Sequence, residues 1–203
     1  MIADLVLLAA DKTIETGVTK VFVRHQSVGC SPFSFRSFVH VARDPGCFRR
    51  SPEFLAGLTD GYGRCLVVFD REGSGTALDR AQIESDVETR LSGCGWAQRA
   101  ACIVADPEIE NWVWSDSPHV PSCLGWNNRM SVVEWLQSEG YWPENASKPP
   151  RPKEALQAVL RLTGQPRSSA LYGTLAERVS LARCTDPAFL KLRNTLRNWF
   201  PAA

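Results

Sequence analysis

Two apolar runs in this chain each lead straight into a group of carboxylates. Residues 65–69 (CLVVF) are followed by Asp70, Arg71, Glu72 and a Gly-Ser-Gly loop, and residues 101–105 (ACIVA) by Asp106, Pro107, Glu108, Ile109 and Glu110. A near-continuous apolar run reads as a strand buried on both faces, the pattern of a parallel sheet. In open α/β sheets, ligands bind at the carboxyl ends of such strands. Acids gathered at that edge repel one another unless positive charge sits among them. A divalent cation meets that need, and oxygen-only ligands favour Mg²⁺ or Mn²⁺.

Asp70 and Glu72 are two residues apart. If the strand continues through Arg71, their side chains point the same way and can share one ion. Asp11, at the end of the apolar run 4–10 (DLVLLAA), offers a third oxygen ligand. Asp70, Glu72 and Asp11 are therefore the expected metal ligands, and together with Glu108 the expected catalytic acids. Gly73 and Gly75 would let the backbone approach a bound phosphate.

Several of these acids also have a plainer role. Asp106-Pro107 has the form of a helix start, with Asp capping and Pro at the first helical position. The same pair recurs at Asp186-Pro187, where no other acids stand. Glu108 and Glu110 would then complement the dipole of that helix, and two apart on a helix they would not face the same way. Asp11 is also placed to cap the helix that follows it.

Other chemistry has thinner support. Cys47 follows Asp44-Pro45-Gly46, read as a turn, and His40 lies nearby. A Cys/His nucleophilic pair needs a third group to orient the base, and none is in view. There is no nucleophile elbow, P-loop or dinucleotide fingerprint. Seven cysteines without a Cys-x-x-Cys pair, and three histidines, argue against zinc. Cys65 and Cys102 fall inside the apolar runs, where cysteine acts as a small hydrophobe, and free thiols suit a reducing compartment. Trp112, Trp114 and Trp126 could stack bases, but core packing is their simpler role.

The elements that must position these groups follow from periodicity. Residues 4–10, 33–41, 65–69 and 101–105 read as strands. Residues 13–24 read as a helix with Ile14, Val18, Val21 and Phe22 on one face. A second helix starts at Ser51-Pro52-Glu53, a third spans 79–91, and Asp106-Pro107 opens a short one carrying Trp112 and Trp114. The alternation β-α-β-α-β-α-β-α is that of an α/β fold: a mainly parallel, four-stranded, Rossmann-like sheet over residues 1–126. Beyond Trp126 the pattern turns helical (130–138, 152–162, 168–181 and 186–199), with a proline-rich loop at 140–152. Residues 127–203 thus form a helical C-terminal part packed on the sheet.

Charge is split between these parts. Residues 1–125 hold 12 Lys and Arg against 16 Asp and Glu, a net of −4; residues 126–203 hold 11 against 6, a net of +5. An acidic front and basic back suit a metal centre beside a polyanion grip. Lys148, Arg151, Lys153 and Arg167 are the expected contacts to nucleic-acid phosphates. No apolar run reaches membrane-spanning length, and the first residues lack the basic and apolar regions of a signal peptide. The expectation is a cytoplasmic protein without a membrane partner.

An acid after the first strand and an acid pair after a later one, Asp11 and Asp70-Arg71-Glu72, resemble the TOPRIM domain of topoisomerases, primases and defence nucleases. That resemblance spans roughly residues 4–110 and implies magnesium held by the acids for phosphodiester chemistry on DNA or RNA. The first acid here is Asp11 rather than a Glu followed by Gly, and the pair is D-x-E rather than D-x-D. Over almost the whole chain, the strings VVFDREGSG, ADPEIENWVWSDSPHV and RPKEAL resemble a family of small bacterial proteins associated with methylation-associated antiphage defence clusters. This implies a prokaryotic defence setting and other defence-system proteins as partners. Two functions are consistent with these readings. One is a Mg²⁺-dependent TOPRIM-like nuclease or nucleic-acid-processing component. The other is a non-catalytic sensor or scaffold subunit; a nucleotide-binding regulator would need a base pocket in addition.

Overall fold

Four strands pair in parallel, in the order β2-β1-β3-β4: β1 (Ala3–Ala9), β2 (Phe35–Val39), β3 (Tyr62–Asp70) and β4 (Ala100–Ala105). The structure, a computed structural model, describes residues 1–202. The central strands are the most apolar, with Leu5 to Ala10 and Cys65 to Phe69 at 0% exposure. Each such side chain contributes about 1.5–3 kcal/mol by leaving water. Their packing therefore decides where the strand ends, and the acids on them, must lie.

The chain runs from β1 outward to β2, then back across β1 to β3 and on to β4. With right-handed crossovers, α1 (Lys12–Val23) lies on one face, while α3 (Arg43–Ala56) and α4 (Arg80–Leu91) lie together on the other. A one-turn helix α2 (His25–Val28) follows α1. The connections leaving β1 and β3 run to opposite sides, so a crevice opens between their carboxyl ends, where Asp11 and Asp70 sit.

Helix α3 differs from the sequence expectation. It begins at Arg43 and takes in the Asp44-Pro45-Gly46 segment read as a turn, so that Pro52 lies inside it rather than at its start. Proline cannot donate to the carbonyl four residues back. Arg90 on α4 supplies donors instead: Nη2 reaches the Phe48 carbonyl at 2.6 Å and Nη1 the Arg49 carbonyl at 3.1 Å.

Helix α4 also closes the outer edge of the sheet. Its Glu84 accepts from the backbone N–H of Val104 (3.0 Å), and Glu88 from that of Cys102 (2.9 Å). These are outward-facing donors of β4, which an open edge would leave as a template for another chain. Lys191 bonds both carboxylates, and Arg80 bonds Glu84.

The remaining helices are α5 (His119–Cys123), α6 (Val132–Ser138), α7 (Pro152–Thr163), α8 (Ser169–Arg178) and α9 (Pro187–Trp199). Ser131 and Glu134 form a capping box on α6, and Ser168 and Asp186 cap α8 and α9. Helix α8 packs on α1, and α9 on β4. Apolar residues of the sheet and of the C-terminal helices belong to one buried cluster. No helix among the described residues is long and apolar enough to cross a membrane.

Candidate metal centre

Asp70 is the last residue of β3, and the chain bends immediately after it. Arg71 has helical backbone angles (φ −62°, ψ −47°), and residues Glu72–Ser74 form a tight turn. The strand therefore does not continue through Arg71, and the condition that would aim Asp70 and Glu72 the same way is not met. Glu72 is exposed on that turn. Backbone bonds stitch the turn to the end of β4, from Arg71 N to the Ala105 carbonyl (2.9 Å) and from Glu72 N to the Pro107 carbonyl (3.1 Å).

The partners of Asp70 come from beyond β4. Oxygens of Asp70, Glu108 and Glu110 all lie within 4.8 Å of one another. Glu108 and Glu110 do not sit on one helix. Glu108 is extended (φ −149°, ψ 160°), and the short turn Ile109–Trp112 begins after it, so spacing along a helix does not separate them. The Asp106-Pro107 peptide is cis. Asp106 caps no helix; its carboxylate takes the Nε of Arg71 at 2.5 Å. Between side chains 35% and 40% exposed, that pair contributes at most about 1 kcal/mol.

A fourth acid, Asp44 at the start of α3, accepts from the backbone N–H of Asp70 at 2.9 Å. Asp70 in turn accepts from the N–H of Ile109 at 2.8 Å. Burial pushes the Asp70 carboxyl well above the ordinary range, and the charges of Glu110 and Asp44 add to the shift. Burial also raises Asp44, with the N–H of Asp70 opposing and Asp11 adding. Glu108 is raised by burial, opposed by its bond from Lys153.

Two cations from the C-terminal part enter the cluster. Lys153 on α7 bonds Glu108 at 2.6 Å, and Arg167, just before α8, bonds Glu110 at 2.6 Å. Glu110 is fully buried. Its Oε1 also accepts from the Tyr172 hydroxyl at 2.6 Å, and burial together with that carboxylate pushes the Tyr172 phenol up. Oε2 of Glu110 is buried without a partner. Four acids thus stand with two cations.

The other expected residues take these positions. Asp11 caps α1 through the N–H of Ile14 (2.8 Å) and stands outside the convergent trio. Lys148 donates to the Asn111 carbonyl (2.7 Å) and to Asp186 (3.4 Å). Arg151 pairs with Glu154 at 3.0 Å. Asp186 caps α9 and also receives the indole N–H of Trp112 (3.0 Å) and the amide of Asn111 (2.7 Å). Trp114 is buried and donates to the Pro152 carbonyl (3.0 Å); Trp126 packs on Trp135. The Cys/His pair does not form. Burial pushes the Cys47 thiol up, beyond any thiolate role, and His40 Nδ1 accepts the N–H of Ala42 (3.1 Å).

Beside the trio lies an open cleft of about 680 Å³, lined by Arg71, Glu72, Glu108, Arg151, Lys153 and Glu154 among others. It holds both signs of charge. Sequence reasoning missed two members of the cluster. Asp44 was hidden in an apparent turn, and Glu110 was assigned to a helix dipole. The acid run after β4 was the available signal for Glu110; nothing local marked Asp44. In comparison with known proteins, no family model, no curated protein and no solved structure matches this chain.

Proposed function

We propose that this protein binds one divalent cation, Mg²⁺ or Mn²⁺, through Asp70, Glu108 and Glu110, and uses it in phosphodiester chemistry on a nucleic acid. The observation that carries this reading is the converging acid trio at the carboxyl edge of a parallel sheet, with Oε2 of Glu110 buried and unpartnered. The fit rests on charge and donor type. With all four carboxylates ionised, as a bound cation would favour, they carry two negative charges more than the two cations balance, which one divalent ion neutralises. All donors are oxygens, as hard cations require. Bound there, such an ion would stabilise charge on a phosphate and activate water.

The residues around the trio have separate tasks in this reading. Arg71, Arg151 and Lys153 line the cleft and would hold phosphate oxygens. Lys153 is already close, since its partner Glu108 is a ligand. Arg167 and Tyr172 hold Glu110 from behind and fix the direction of its carboxylate. Asp11 and Glu72, expected as ligands, flank the site rather than form it. A TOPRIM-like ancestry, a prokaryotic antiphage defence setting and a cytoplasmic location remain part of the proposal. The ancestry and the defence setting rest on the sequence resemblance alone, and the location on the sequence expectation given above.

A specific observation favours a second reading, a non-catalytic scaffold. Lys153 and Arg167 both spend their charge on the trio, and Lys148 on Asp186. In that reading the acids are ties between the sheet and the C-terminal helices. The two readings separate on metal response. A ligand for the folded state raises its melting temperature by mass action. Millimolar Mg²⁺ or Mn²⁺ should raise the melting temperature of the wild type but not of Asp70→Asn, and Mn²⁺ should support cleavage of a nucleic-acid substrate. A melting temperature indifferent to both ions would discard the metal centre and leave the scaffold.

A further inference from the structure

The edge of the sheet opposite α4 is uncovered, and the groups beside it differ in kind from those of the acidic cluster. Strand β2 pairs with β1 on one side only. The bonds from Leu5 N to the Ser34 carbonyl and from His40 N to the Ala9 carbonyl set the parity of the ladder. Even-numbered residues of β2 bond inward, so Phe35, Ser37 and Val39 turn their backbone groups outward. On the α3 face of this edge, Phe38 and Phe54 meet edge to face at 5.6 Å, each 37% exposed. Val39 is 39% exposed and Val41 94%. Around these rings stand Arg36, Arg43 and Arg50, all exposed. Arg50 and Phe54 share one flank of α3 at helical spacing, Arg43 stands at the start of that helix with φ 51°, and the charge of Arg50 reaches His40.

These three arginines form no ion pair among the described residues, in contrast to Lys148, Arg151, Lys153 and Arg167, all of which do. Glu53 is the one exposed acid on this part of α3, and it pairs with none of them. Unpaired guanidinium groups call for a polyanion, and exposed aromatic rings between them call for flat apolar groups at intervals along it. A polyanion bearing such groups at its surface is a single-stranded nucleic acid, whose unstacked bases can lie on aromatic rings while its phosphates meet arginines. A duplex hides its bases, and an acidic peptide does not carry a flat ring on every anionic unit. The shelf also leads to the cluster: Arg43 is followed directly by Asp44, whose carboxylate holds the backbone N–H of Asp70.

We infer that the β2 edge and the adjoining flank of α3 bind single-stranded nucleic acid through Arg36, Arg43, Arg50, Phe38 and Phe54. The choice of ligand shares the nucleic-acid reading above, but the inference does not depend on the metal.

The test is fluorescence anisotropy of the full-length protein with a labelled 20-nucleotide oligo(dT) in chelator, with a duplex of equal length and heparin as competitors. Binding should weaken with salt with a log–log slope of about −2, for three phosphates contacted on a single strand. Arg36→Ala/Arg50→Ala should bring the slope to about −0.7. Phe38→Ala/Phe54→Ala should weaken binding about thirtyfold or more and leave the slope unchanged. Both arginines are exposed, so their variant tests the surface even if the phenylalanine variant folds poorly. No binding at low salt, or equal competition by duplex and heparin, overturns the inference. So does loss of binding in Arg151→Ala/Lys153→Ala rather than in the shelf variants, or a dimer that dissociates when Phe38 and Phe54 are replaced. A melting temperature that still responds to Mg²⁺ in any of those cases would keep the metal centre while removing the shelf.

Discussion

The backbone of Gly73 lies against the carboxylate of Asp44: a Cβ on Gly73 would stand 2.5 Å from Asp44 Oδ2. Glycine is therefore needed in this loop for close approach to a neighbouring acid. Because Asp44 holds the N–H of Asp70, the loop after β3, the start of α3 and the acidic cluster form one packed unit. Gly73→Ala should displace Asp44 and cost roughly 1–3 kcal/mol. In a 203-residue chain that lowers the melting temperature by several degrees. Gly93→Ala, where a Cβ meets nothing within 4 Å, is the control and should leave the metal response intact. A melting temperature for Gly73→Ala equal to the wild type would show that Asp44 moves aside freely.

Asp70→Asn has opposite expected effects with and without metal. The amide oxygen can still accept the N–H of Ile109, while the change removes a carboxyl whose charged form is disfavoured by burial and by Glu110, Asp44 and Glu108. In chelator, Asp70→Asn should match or exceed the wild type in thermal stability. In Mn²⁺ the wild type should rise above it. Marked destabilisation of the chelated variant would mean that the Asp70 charge is itself stabilising.

His40 provides a pH test away from the acids. Burial depresses its folded pKa, and the charge of Arg50 adds to this. The stability tied to neutral His40 is thus present above the unfolded value of 6.5 and is lost as pH falls through the lower folded value. Protonation also removes the Nδ1 lone pair that accepts the N–H of Ala42. Between pH 7.5 and pH 5 the wild type should lose melting temperature relative to His40→Asn. Parallel profiles for the two proteins would place the acid sensitivity elsewhere.

Gly17 lies inside α1 and lines a small apolar cavity with Val21, Trp112 and Tyr172, and a Cβ there meets nothing within 4 Å. Gly17→Ala should stabilise by about 1 kcal/mol, through lower unfolded-chain entropy and better helix propensity. A midpoint shift to lower denaturant would show that the cavity is needed open.

At the β4 edge, Glu84 is 4% exposed and accepts from Val104 N, Arg80 and Lys191. Glu84→Ala should cost roughly 3 kcal/mol, because it orphans a buried N–H and Arg80 and leaves Lys191 with Glu88 alone. Glu84→Gln keeps an acceptor and should cost less. Equal losses in urea unfolding would show that charge, not the edge bond, dominates.

The fold class was legible because β3 and β4 are buried on both faces, and parallel strands so placed read as unbroken apolar runs. Asp70 was legible for the same reason, since a strand that must be buried delivers its last residue to a known edge. Capping residues such as Asp186 and Asp11 were legible from local chemistry. The composition of the site was not. Its trio closes only when a segment 38 residues beyond Asp70 comes back beside β3, and Glu110 is held by Arg167 and Tyr172, 57 and 62 residues further on. Glu72 left the site on a single backbone change at Arg71. Helix α3 runs through Pro52 because Arg90, from another helix, reaches carbonyls at and beside the one proline leaves unbonded. Local sequence governs periodicity, caps and strand burial, whereas a cluster of like charges depends on which distant cations and backbone donors the packed core brings against it.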